Sequence, residues 1–139
     1  MPEVARTAVD MIAGMTPVVQ AGDFVFVTTN DPALVASLLP QAMAMVRERE
    51  GMSLLVPVAV ARDAGLDATQ PMRCITLNVH SSLDGVGLTA AVATALADGA
   101  IACNMIAAYH HDHVCVPSAA CDRALDILTA LQDRAAKGA

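Results

Sequence analysis

Ser81, Ser82, Asp84, Gly85 and Gly87 crowd into one turn, between a run that reads as a β-strand, Met72–Val79, and one that reads as a helix, Val86–Ala97. This order of elements leaves backbone N–H groups free at a helix N-terminus, where the helix dipole also favours negative charge. A small carboxylate suits such a turn. The Ser81 or Ser82 hydroxyl and the N–H groups around Gly85, Val86, Gly87 and Leu88 would hold it, beside the apolar Leu83. Asp84 would take an ammonium group on the same molecule, so the turn matches both charges of a free amino acid. The same residues also have a purely local use. Ser81 and Asp84 have capping-box spacing, and the glycines permit a tight turn.

A second group is His110-His111-Asp112-His113, followed by Cys115. In an extended chain His111, His113 and Cys115 point to one side. A strand rises about 3.3 Å per residue, which sets His111 and Cys115 about 13 Å apart. Three ligands must converge at about 2.0–2.3 Å from one zinc ion, so at most two neighbours here share a metal unless His80 supplies a third. The other readings are a hairpin tip of polar, hydrogen-bonded histidines and a binding or pH-responsive interface. Nucleophilic catalysis needs Ser or Cys beside His with an orienting acid. His80, Ser81, Ser82 and Asp112 supply the types, but no local signature such as GxSxG accompanies them. A small His- or metal-dependent enzyme centred on His80, His111, Asp112 and His113 is thus an alternative to a binding protein.

These groups belong to a chain of 139 residues, 55% hydrophobic and 16% charged, with a net charge of −6. That length builds one domain or two very small ones, and the apolar excess favours self-association. The eight Lys and Arg are scattered, and there are one Tyr, two Phe and no Trp, so neither a basic stripe nor a stacking platform for nucleic acid exists. The longest uncharged stretch, Pro32 to Val46, is broken by Pro40, which argues against a membrane span. The N-terminus carries Glu3 and Asp10 and does not read as a signal peptide. Cys74, Cys103, Cys115 and Cys121 form no CxxC pair and lie in apolar patterns. Reduced, buried thiols and a cytoplasmic location are the expectation. Met11, Met15, Met43, Met45, Met52 and Met105 read as core filling.

The elements that must position the two groups follow from periodicity. Val4, Ala8, Met11, Ile12 and Met15 predict a helix over Pro2–Gly14. Asp23–Thr29 is a strand, Asn30-Asp31-Pro32 a turn and Pro32–Leu39 a short helix. Met43–Arg47 and Met52–Val58 form a hairpin, followed by a short helix over Val58–Ala64 and a linker over Gly65–Pro71. In Met72–Val79, Ile75, Leu77 and Val79 share one face and Cys74, Thr76 and Asn78 the other. Leu88, Val92 and Leu96 line the next helix, with Gly99 at its stop. Ile101–Ala108 and Val114–Val116 are strands. Ser118 caps a last helix, whose buried stripe is Cys121, Leu125, Leu128 and Leu131 and whose end, RAAKGA, frays. Residues 72–135 therefore run β-α-β-β-α, a split βαβ pattern that lacks its last strand, which the first half can supply. The expected class is α+β: two interleaved ferredoxin-like units over residues 1–68 and 69–139, antiparallel sheets with helices on one face.

The runs GMTPVVQAGDFVFVTT (Gly14–Thr29), EREGMSLLVPVAV (Glu48–Val60), CITLNVHSSLDGVGLTAA (Cys74–Ala91) and YHHDHVCVP (Tyr109–Pro117) resemble a family of small bacterial tandem ACT-domain proteins. More remotely, Asp84–Ile106 is similar to the regulatory ACT domains of aspartate kinases and to cytosolic arginine sensors. Ala102 stands where those kinases usually carry Asn, and Asn104 follows two residues on. The resemblance implies βαββαβ units, usually dimeric, that hold an amino acid between ACT domains and have neither catalysis nor cofactor of their own. It also implies a second wall for the site, Cys103, Asn104, Met105 and Ile106, on a neighbouring strand or a partner subunit. A subunit that only docks on another protein is a further alternative.

Overall fold

The computed structural model describes residues 7–79 and 85–138. In chain order they form α1 (Ala8–Gly14), β1 (Pro17–Val19), β2 (Phe24–Thr29), α2 (Pro32–Leu38), β3 (Ala44–Arg47), β4 (Met52–Pro57), α3 (Val58–Asp63), β5 (Met72–Leu77), α4 (Leu88–Asp98), β6 (Asn104–Ala107), β7 (Asp112–Pro117) and α5 (Cys121–Gly138). They divide into two compact units, residues 1–20 with 73–139 and residues 21–72.

In the first unit the strand order is β1, β5, β7, β6. β1 is antiparallel to β5, with Pro17 opposite Leu77 and Val19 opposite Ile75, and β6 is antiparallel to β7. Between β5 and β7, Cys74 meets Cys115 and Thr76 meets His113, so rising numbers in one strand meet falling numbers in the other. The segment β5-α4-β6-β7-α5 is the split βαβ pattern, and its fourth strand is β1, from the N-terminal side of the chain. Alternation in β5 and β7 sends Ile75, Leu77, Val114 and Val116 into the core with Met11, Met15, Leu88, Val92, Leu96 and Leu128 from the helices.

The second unit repeats β-α-β-β-α with strand order β3, β4, β2. Val25, Val27, Leu54 and Val56 pack against Leu38 of α2 and Val58 and Ala61 of α3. Asp31 caps α2, accepting from the Ala33 N–H at 3.0 Å with Pro32 in the first turn. The fold is α+β with antiparallel strands, in line with the sequence reading.

Several boundaries differ from the sequence reading, each for a local reason. α1 starts at Ala8, where the Thr7 side chain caps it, accepting from the Asp10 N–H; residues 2–6 of the expected helix lie outside the described residues. The strand expected from Ile101 starts only at Asn104, because the preceding backbone closes α4. The Ile101 N–H donates to the Leu96 carbonyl and the Ala100 N–H to that of Ala97, a Schellman closure. Its left-handed position is Ala100, at φ 57°, not Gly99. Ser118 opens a 3-10 turn, Ser118–Ala120, that leads directly into α5 at Cys121. The RAAKGA tail is helical through Gly138.

Ala100→Gly is therefore expected to raise stability. A left-handed alanine carries about 1–2 kcal/mol of steric strain, against about 0.4–1 kcal/mol of extra chain entropy for glycine in the unfolded state. The net gain is about 0.5–1 kcal/mol, read as a higher urea midpoint at unchanged slope. An unmoved midpoint would show that no strain is relieved there.

Candidate functional site

The amino-acid turn is described from Gly85 onward; His80, Ser81, Ser82, Leu83 and Asp84 lie outside the described residues. Gly87 is the N-cap of α4, with φ 115° and ψ −21°. A side chain there would place its Cβ 2.8 Å from the Cβ of Ala8, so glycine serves both the backbone angle and the approach of α1. Leu88 is buried and pins the helix start, whereas Val86 is 82% exposed. Among the described residues no side chain caps this terminus, and no acidic residue sits in its first turn. Among the described residues the first-turn N–H groups thus keep their capacity for an anion, backed by an eleven-residue helix.

The expected second wall begins at the other end of the sheet. Asn104 pairs with Cys115, and Ala107 with Asp112. His111 Nδ1 lies 3.2 Å from the Val79 carbonyl oxygen, so the end of β5 that leads into the turn is the His111 end. Within one chain, Ile106 lies towards that end, Met105 between, and Cys103 and Asn104 are remote from it. The group beside the Val79 carbonyl is instead His111, from the turn between β6 and β7, where the Ala108 N–H donates to the His111 carbonyl.

The histidine segment straddles that turn and the start of β7. The exposed Tyr109 ring packs edge-on to His110, with centroids 5.0 Å apart. Asp112 faces inward and is 8% exposed. Burial raises its carboxyl above the usual range, against the opposing pull of His113 and His111. His113 lies on the other face of the sheet, in a polar column. Gln20 Nε2 donates to Thr76 Oγ1 at 2.6 Å, and Thr76 Oγ1 lies 2.9 Å from His113 Nδ1. The Thr76 hydroxyl, already accepting from Gln20, is free to donate to an unprotonated Nδ1. Below it, the Cys74 and Cys115 sulfurs are 2.9 Å apart and buried. The hydrogen bond between them and burial raise the Cys74 thiol, while the same bond lowers that of Cys115. Among the described residues no three His, Cys, Asp or Glu side chains converge on a point that would hold a metal ion.

Burial lowers the His113 pKa from 6.5, reinforced by His111 and opposed by Asp112. A histidine lowered on folding contributes stability that is fully present above pH 6.5 and is lost as pH falls through its folded value. Melting temperature should therefore fall between pH 7.5 and pH 5.5, and His113→Gln should flatten that fall. Parallel curves for the two proteins would exclude His113 as the source.

Residues 9–73 match a family model described as ACT domain, and residues 70–130 match a second model of that description. Among solved structures, a protein of unknown function from Vibrio cholerae, described as a possible transport protein, is 41% identical. It covers 87% of this chain and 92% of its own, with a TM-score of 0.78. A protein from Agrobacterium tumefaciens is 15% identical, with 84% and 87% covered and a TM-score of 0.63. An aspartate kinase from Clostridium acetobutylicum is 10% identical, with a TM-score of 0.64 over 85% of this chain and 34% of the kinase. The last two likenesses extend to the fold alone. No curated protein matches the chain.

Proposed function

The chain belongs to the ACT-domain family, as two such domains in tandem, and from that premise we propose that it is a non-catalytic sensor of a small amino acid. ACT domains are typically regulatory, ligand-binding modules without catalysis of their own. No helix among the described residues is long and apolar enough to cross a membrane. The observation that carries the reading is the start of α4: a helix terminus that no described side chain caps, behind a glycine held at φ 115°. The ligand carboxylate takes the N–H groups at Gly87 and Leu88 with the hydroxyl of Ser81 or Ser82, and Asp84 takes its ammonium group. A carboxylate at such a terminus gains about 0.3–1 kcal/mol from the dipole, more where partly buried.

Cys103 and Asn104 lie away from the Val79 end of β5, which supports a homodimer in which Cys103, Asn104, Met105 and Ile106 of one copy face the turn of another. A thermal-shift panel of the twenty amino acids tests the reading. A ligand at a hundredfold excess over its Kd stabilises the folded state by about 2.7 kcal/mol, a shift of several degrees at this size. One strong responder is expected; a flat panel would remove the sensor reading.

A further inference from the structure

The second unit has an incomplete strand edge. The Val58 N–H donates to the Asp23 carbonyl across the β2–β4 ladder. Main-chain groups alternate sides along a strand, so those of Val25, Val27 and Thr29 also face β4, and those of Phe24, Phe26 and Thr28 face the opposite way. On that side, among the described residues, only Phe24 is paired, with Met72. Continuing that register would set Gln70 opposite Phe26 and Ala68 opposite Thr28. Instead the segment stands off. Asp67 folds it into a turn by accepting from the Thr69 N–H at 2.9 Å. Between β2 and this segment lies a groove of about 460 Å³, lined by Val25, Phe26, Val27, Thr28 and residues 66–67 and 69–70.

We propose that this groove takes an extended, basic peptide segment, which completes the sheet of the second unit by strand addition. The N–H and carbonyl groups of Phe26 and Thr28, about 7 Å apart along the strand, offer two donors and two acceptors to a peptide main chain. The Phe26 ring, 43% exposed, offers an apolar contact to one of its side chains. Asp67 supplies the preference for a cation: among the described residues it is the one charged residue lining the groove, and its hydrogen bonds from Thr69 hold it in the ionised form. A Lys or Arg beside the strand-forming residues meets that carboxylate, whereas an acidic peptide is repelled by it. None of these residues belongs to the amino-acid turn, so the two sites stand or fall separately.

The test presents the full chain to an array of capped hexapeptides in which Val or Thr alternates with Lys, Arg, Gln, Asp or Glu. Amide exchange is then followed with the strongest binder. The Lys and Arg members should bind best, and the Phe26 and Thr28 N–H groups should slow about tenfold or more. Asp67→Asn keeps an oxygen to accept from the Thr69 N–H but removes the charge, and should weaken the basic members about two- to fivefold. An array with no preference for basic over acidic members would overturn the proposal. So would basic binding that Asp67→Asn leaves unchanged, or protection that falls outside residues 24–29.

Discussion

Gly87→Val should destabilise the protein by about 2–6 kcal/mol and abolish ligand binding at the turn. Two separate strains add. A β-branched residue held at φ 115° is outside its normal backbone range, which costs about 1–3 kcal/mol. Its Cβ would also stand 2.8 Å from that of Ala8, and relieving such overpacking costs about 1–3 kcal/mol more. A double-mutant cycle separates the two. Gly87→Ala in an Ala8→Gly background removes the facing methyl but keeps the backbone strain, so the glycine substitution should cost about half as much there as in the native background. Equal penalties in both backgrounds would show that α1 does not press on the start of α4. The cycle also protects the binding experiment, because the relieved double variant separates loss of the site from loss of the fold.

Leu96→Ala is expected to be as severe for stability and silent for direct ligand contact. Leu96 is fully buried, packs in the core of the first unit, and gives its carbonyl to the Ile101 N–H that closes α4. Truncating such a leucine costs about 2–5 kcal/mol, because the surroundings collapse only partly into the cavity. At about 4 °C per kcal/mol for a chain of this size, the melting temperature should drop by about 8–20 °C. A drop of only a degree or two would mean that the helix is not seated on the sheet through this side chain.

The parts of the fold legible in the sequence are those with an unambiguous period. Cys74–Leu77 alternates cleanly and is half of the first unit's core strand pair. The β3–β4 hairpin is marked by Gly51 between two apolar runs. The illegible parts lack such a period. β1 is three residues long behind Pro17, too short to repeat, and becomes a strand because β5 offers it an edge. The left-handed Ala100 is invisible because alanine carries no signal for that conformation. The linker over residues 65–71 gave no sign that it would flank a groove, since this depends on β2 and the bridge at Met72.

Of the candidate site, the helix start at Gly87 was legible in the sequence and the neighbours brought by the sheet were not. The strand, the glycine and the helix start are local: Gly87 is the N-cap of α4 and Leu88 its first residue. The placing of Asn104 is not local: it follows from the antiparallel run of β6 beside β7, which carries it away from Val79. His111 became a neighbour of β5 for the same reason, and spacing alone could not reveal it.

The most direct measurement is a two-dimensional amide NMR map of the isotope-labelled full chain, recorded with and without an amino-acid mixture. A sensor of the kind proposed should show shifts concentrated at residues 80–88, with a second set at Cys103–Ile106 if a partner copy closes the site. Unchanged spectra at millimolar amino acid, or shifts confined to residues 21–72, would contradict binding at the turn before α4.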